Sequence, residues 1–139
     1  TSARNAFFGK ISAVKQGDIQ AQVELATMSG CRIVTIITNE SLERLALRKG
    51  RLITAEVKAP WVILHSGKEE PKCSADNRFN GTITRINKGK VNTEYTVRIA
   101  DGTDLCALVS GESSRRLALK AGDPVCAFFN CFAVVLHVD

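Results

Sequence analysis

Sliding the chain along itself by 72 positions superimposes Thr1–Gly67 on Cys73–Asp139 without a gap. A repeat of that length constrains the architecture more than any other feature. Identities include Ser2/Ser74, Asn5/Asn77, Phe7/Phe79, Gly9/Gly81, Gly30/Gly102, Glu40/Glu112, Ser41/Ser113, Gly50/Gly122, Leu64/Leu136 and His65/His137. The run Arg44-Leu45-Ala46-Leu47 returns as Arg116-Leu117-Ala118-Leu119. The chain is therefore two copies of one unit, 1–67 and 73–139, joined by a polar linker at 68–72. With 139 residues in all, each copy is small and gains by packing on its twin or on a second chain.

Within the first copy, Asn5–Val14 reads as a strand broken by Gly9, and Ile19, Ala21, Val23 and Leu25 alternate as a second. Ile33–Ile37 make a third strand, followed by a short helix from Leu42 to Arg48 that Gly50 closes. Ile53, Ala55 and Val57 alternate as a fourth strand, and Trp61–Leu64 form a fifth after Pro60. The second copy repeats the order with Phe79–Ile86, Val91–Ile99, Leu105–Val109, a helix at Ser114–Lys120, Val125–Phe129 and Ala133–Val138. Such an order predicts an all-β protein of two tandem OB-type five-stranded barrels, each with one short helix between strands three and four.

Composition narrows the function classes. The 45% apolar and 24% charged residues describe a globular chain, and no apolar run approaches the length of a membrane span. Five cysteines, an odd number without a CxxC pair, argue against a disulfide framework or a structural zinc site and point to a cytoplasmic protein. Cys106 and Cys126 fall on apolar strand patterns and are expected to be buried thiols. The net charge of +5 is unequally shared, because residues 1–72 hold eleven Lys/Arg against seven Asp/Glu and residues 73–139 eight against seven. Anion affinity is thus expected in the first copy.

The stretch Ile37-Thr38-Asn39-Glu40-Ser41 places two hydroxyls at a helix start, where backbone N–H groups lack intrahelical partners. Thr38 or Asn39 can cap it, and Glu40 and Glu112 suit the helix dipole rather than acid catalysis. Ser2 and Arg4 open the first strand with a hydroxyl and a planar donor fork, while Lys58 ends the fourth with a compact ammonium beside Ala59. His65 and His137 close equivalent copies with no evident acid partner, so they read as structural or surface residues and no enzyme class is indicated.

Four separated motifs in the right order, Thr1-Ser-Ala-Arg-Asn5, Ile37-Thr-Asn-Glu-Ser41, Leu45-Ala-Leu47 to Gly50, and Lys58-Ala-Pro-Trp-Val62, resemble the Mop (molbindin) family. The tandem form is similar to the molybdate-sensing C-terminal domain of ModE-type transcriptional regulators and to free-standing two-copy molbindins. The resemblance implies binding of molybdate or tungstate between the subunits of a homodimer, with no cofactor and no direct protein ligand to molybdenum. Carried over, Ser2, Arg4, Lys58 and the Ala59 N–H come from one chain, and Thr38, Asn39 and Ser41 from the other. In the second copy Asp76, Asn130 and Ser110 replace Arg4, Lys58 and Thr38, which predicts a degenerate site.

The Ser74-Ala-Asp-Asn77 opening and Asn130 resemble the sensor's second copy more than the storage proteins, whose two copies tend to keep the basic residues, so the resemblance implies the sensor. A start on Thr1 rather than Met fits an excised piece, with DNA reached only through an N-terminal domain absent from this chain. A nucleic-acid-binding OB module is the remaining alternative. Against it stand an aromatic content of only 6% and strand faces without interleaved basic and aromatic residues, with Phe7, Phe79, Phe128 and Phe129 suited to the core.

Overall fold

The computed structural model describes residues 4–138 and is mostly β. Strand β1 (Arg4–Gln16) turns into β2 (Gln20–Thr27) and β3 (Arg32–Thr38); helix α1 (Asn39–Arg44) follows, then β4 (Leu52–Lys58), a single 3-10 turn (Ala59–Trp61) and β5 (Ile63–Ser66). The second copy repeats this with β6 (Asn77–Lys88), β7 (Asn92–Ile99), β8 (Asp104–Ser110), α2 (Gly111–Leu117), β9 (Pro124–Phe129), a 3-10 turn (Cys131–Ala133) and β10 (Val135–His137).

Two five-stranded antiparallel sheets form, as expected, but their membership crosses the repeat. Their orders are β10-β4-β1-β2-β3 and β5-β9-β6-β7-β8. Each copy therefore lends its last strand to the other, with Val135 opposite Glu56 and Ile63 opposite Phe128. The sequence expectation of a fifth strand in its own barrel is corrected here. Local pattern identifies a strand but not which edge it pairs with, and two near-identical edges were available.

Alternation drives each strand. In β1, Asn5, Phe7, Gly9 and Ile11 point inward while Arg4, Ala6, Phe8 and Lys10 face out. Gly9 does not break β1: the strand runs through it and bulges only between Ile11 and Ala13. A Cβ at Gly9 would lie 2.1 Å from the Ala26 carbonyl oxygen, so glycine permits the close approach of β2. Ile19 lies outside β2 at the hairpin and is exposed.

One core joins the copies. Phe7 stacks on Phe79 and Phe129 at centroid separations of 6.4 and 6.3 Å. Asn5 and Asn77, both buried, fasten the copies reciprocally. Asn77 pairs with the peptide groups of Val34 on β3, and Asn5 does the same with Cys106 on β8, its Nδ2 donating to the Cys106 carbonyl at 2.9 Å. An amide side chain offers both a donor and an acceptor, so it can replace a missing strand partner.

Both helices begin three residues earlier than the sequence pattern indicates. They end before Ala46 (φ 51°) and Ala118 (φ 49°), which adopt left-handed backbone and turn Leu47 and Leu119 into the core. Gly50 and Gly122 lie beyond, donating to the Ile11 and Ile83 carbonyls at 2.8 and 2.7 Å. Cys126 is buried as expected, whereas Cys106 is only partly covered.

Candidate functional site

The antiparallel register of β1 and β4 sets Arg4 directly opposite Lys58. Directly opposed side chains share one face, and two like charges there oppose folding. A local arrangement that works against stability is a common mark of a binding site.

The pair lines a cavity of about 550 Å³ whose walls come from both copies: Arg4, Glu56, Lys58 and Trp61 from the first, Asn130, Phe132, Ala133, Val135 and His137 from the second. The strand exchange makes this possible, because β10 lies beside β4. Glu56 Oε2 stands 3.7 Å from an Arg4 guanidinium nitrogen, and Glu56 Oε1 stands 2.9 Å from His137 Nε2. Sequence reasoning missed Glu56 and gave His137 no acid partner; the structure supplies one. Aligning the copies offered a signal, since Phe128 occupies the place of Glu56 in the second.

Immediately after Lys58 the chain enters the 3-10 turn at Ala59, with Pro60 in its first positions and no side-chain cap from Lys58. The equivalent turn in the second copy is capped twice. Asp76 Oδ2 accepts from the Cys131 N–H at 3.0 Å, and Asn130 Oδ1 accepts from the Phe132 N–H at 2.8 Å. Cys131 is the counterpart of Ala59 and Asp76 that of Arg4. At this corner, then, the second copy holds a carboxylate oxygen against the turn's leading N–H. Burial, followed by the Asp76 carboxylate, pushes the Cys131 thiol up to about 11.

The hydroxyl pair forms a separate constellation. Thr38 caps α1, its Oγ1 accepting from the Ser41 N–H at 3.0 Å and donating to Ser41 Oγ at 2.9 Å, with Arg44 at 3.5 Å from the same oxygen. Asn39 donates through Nδ2 to the Gly17 carbonyl at 3.0 Å and holds the β1–β2 turn. Among the described residues, Thr38 and Ser41 do not line the cavity that contains Arg4 and Lys58. Ser2 lies outside the described residues.

The sequence pattern of the TOBE domain matches residues 1–64 and 73–136. The chain belongs to the TOBE-domain family. It is 34% identical over 139 residues to the transcriptional regulator ModE of Yersinia pestis, covering 98% of this chain and 52% of that protein. It is 32% identical over 136 residues to the molybdenum-pterin-binding protein MopA of Rhodobacter capsulatus, covering 98% of this chain and 51% of that one. The TOBE pair thus spans about half the length of these curated relatives. Among solved structures, the cytoplasmic molybdate-binding protein ModG, in a form with molybdate bound, superimposes with a TM-score of 0.92 at 36% identity, covering 100% of this chain and 99% of that one. No helix among the described residues is long and apolar enough to cross a membrane.

Proposed function

We propose that this TOBE pair binds molybdate or tungstate at a site completed by a second copy of the chain, and that it serves as the ligand-sensing part of a molybdate-responsive transcriptional regulator. One observation carries the reading. The second copy, which has lost both cations, places the Asp76 carboxylate 3.0 Å from the Cys131 N–H. The first copy has the corresponding turn at Ala59, flanked by Arg4 and Lys58 in place of a carboxylate, and this arrangement suits an anion from solution. Two cations balance a dianion, and the Thr38 and Ser41 hydroxyls with nearby N–H groups supply further donors.

Those hydroxyls are assigned to the partner because the cavity of one chain does not contain them. The outer faces of the two sheets support the same view. Cys126 and Phe128, at the places of Thr54 and Glu56, are buried, with Glu70 of the linker and Cys73 at the start of the second copy near Cys126. On the first copy's face Trp61, Phe132 and Val135 remain 60%, 64% and 58% exposed around the cation pair. A second chain is the natural cover for that apolar rim, and it brings its α1 start to the site.

ModG, a cytoplasmic protein with molybdate bound, shares this fold over nearly its whole length, which also favours a second reading of free-standing molybdate storage in the cytoplasm. Either reading makes the chain a binding protein rather than an enzyme. Calorimetric titration with molybdate, tungstate and sulfate, paired with sedimentation analysis, tests the site. Molybdate and tungstate are expected to bind a dimer, with sulfate excluded on size. Undiminished molybdate affinity in Arg4→Ala, or binding by a monomer, overturns the proposal. Molybdate-dependent DNA binding by the natural full-length polypeptide separates sensor from store.

A further inference from the structure

Resting on the oxyanion reading above, we infer that His137 is a positioning residue of the site: through Glu56 it sets the charge that Arg4 and Lys58 present, so that capture of a dianion carries a proton onto the Glu56–His137 pair. Among the described residues, the charged groups lining the cavity are Arg4 on β1, Glu56 and Lys58 on β4 and His137 on β10. The other lining residues, Trp61, Asn130, Phe132, Ala133 and Val135, carry no charge.

Glu56 divides its carboxylate between two claims. One oxygen stands 2.9 Å from His137 Nε2, the other 3.7 Å from Arg4. With a neutral imidazole the four groups sum to one positive charge, and with an imidazolium to two. Only the second state balances a dianion. In that state the imidazolium also draws Glu56 toward itself and away from the guanidinium. Imidazole is the side chain whose charge changes near neutral pH. By reciprocity, a ligand that favours the protonated ring must bind more tightly when the ring is protonated. In the step a new N–H bond forms on His137 as the proton leaves hydronium or a buffer acid, whose conjugate base keeps the bonding pair.

The repeat provides an internal control. His65 is the counterpart of His137, but Phe128 stands in the place of Glu56 and Asp76 in that of Arg4. A histidine occurs at this place in both copies; among the described residues, the carboxylate that joins it to a cation occurs only on the sheet where β10 lies beside β4, which carries Arg4 and Lys58.

The test is calorimetric titration of the intact protein with sodium molybdate near pH 7, in two buffers of different ionisation enthalpy, repeated from about pH 8 to about pH 6. The unmodified protein is expected to take up a fraction of a proton per anion and to bind several-fold more tightly at the acid end. His137→Gln loses the uptake and flattens the profile, whereas His65→Gln changes neither. Glu56→Gln, which removes a negative charge beside the ligand, binds more tightly than the unmodified protein at the alkaline end. Equal proton uptake in His137→Gln, or none in the unmodified protein, overturns the inference while leaving oxyanion binding intact. Absence of binding heat in every buffer overturns the oxyanion reading itself.

Discussion

Asn77 grips Val34 across the repeat: its Oδ1 accepts from the Val34 N–H at 2.7 Å and its Nδ2 donates to the Val34 carbonyl at 2.9 Å. Asn77 is 1% exposed. Asn77→Ala would therefore strand two buried backbone groups, and a loss of about 2–4 kcal/mol is expected. Urea denaturation measures it, and an unchanged midpoint would mean that water replaces the amide.

Arg4 and Lys58 face each other with like charge. Removing either is expected to weaken molybdate binding by about tenfold to a hundredfold, the range for a lost charge-assisted hydrogen bond. Lys58→Ala should leave the ligand-free melting temperature unchanged or slightly raised, because it relieves repulsion across the sheet. A residue needed mainly for folding would lower both quantities together.

Asp76 does the reverse. Its carboxylate satisfies the Cys131 N–H, so Asp76→Ala should cost about 1–2 kcal/mol of stability. Because Asp76 belongs to the copy that lacks the cations corresponding to Arg4 and Lys58, molybdate affinity should stay the same. Thermal unfolding and titration of the same sample check both halves of this expectation.

Asp101, which accepts hydrogen bonds from Ser29 and Cys31 of the other copy, is expected to contribute acid sensitivity to that contact. Burial pushes its carboxyl up, but hydrogen bonds from the Cys31 thiol, the Ser29 hydroxyl and Thr103 outweigh this and hold it well below the usual carboxylate range. A group depressed on folding adds stability above its unfolded value, near 3.9 for Asp, and loses it as the pH falls toward the folded value. Acid titration of Asp101→Asn should lack that component of the stability loss, while the unmodified protein shows it.

Thiol chemistry should be selective. Cys73 is exposed, whereas Cys126 and Cys131 are buried and Cys31 and Cys106 partly so. Burial, then Asp101, pushes the Cys31 thiol up to about 12, and burial raises Cys106 and Cys126. Thiolate is the reactive form, so a disulfide reagent near pH 8 is expected to modify Cys73 quickly and the others only on unfolding.

Much of this was legible from residue pattern. The 72-residue offset and the strand alternation follow from local chemistry that a sequence records directly, whereas the helix cap was narrowed only to Thr38 or Asn39 and the structure selects Thr38. Arg4 and Lys58 could be placed at the start of the first strand and the end of the fourth, and the β1–β4 register, which the pattern does not record, sets them opposite each other. The exchange of β5 and β10 was not legible, because Ile63 and Val135 would alternate identically in either sheet. The pairing of His137 with Glu56 was missed for the same reason: the two lie far apart in sequence and meet only through that exchange. The helix ends were misplaced because Ala46 and Ala118 hold a backbone conformation usually left to glycine.

The crossed final strands also bear on how such a chain diverges. Severing it at residues 68–72 would not release two working halves, since each would keep an open sheet edge waiting for the other's terminal segment. The polypeptide is in effect a domain-swapped pair welded end to end. Because the weld guarantees that unlike halves always meet, one half could trade its cations for Asp76 and Asn130 without ever having to pair with a copy of itself.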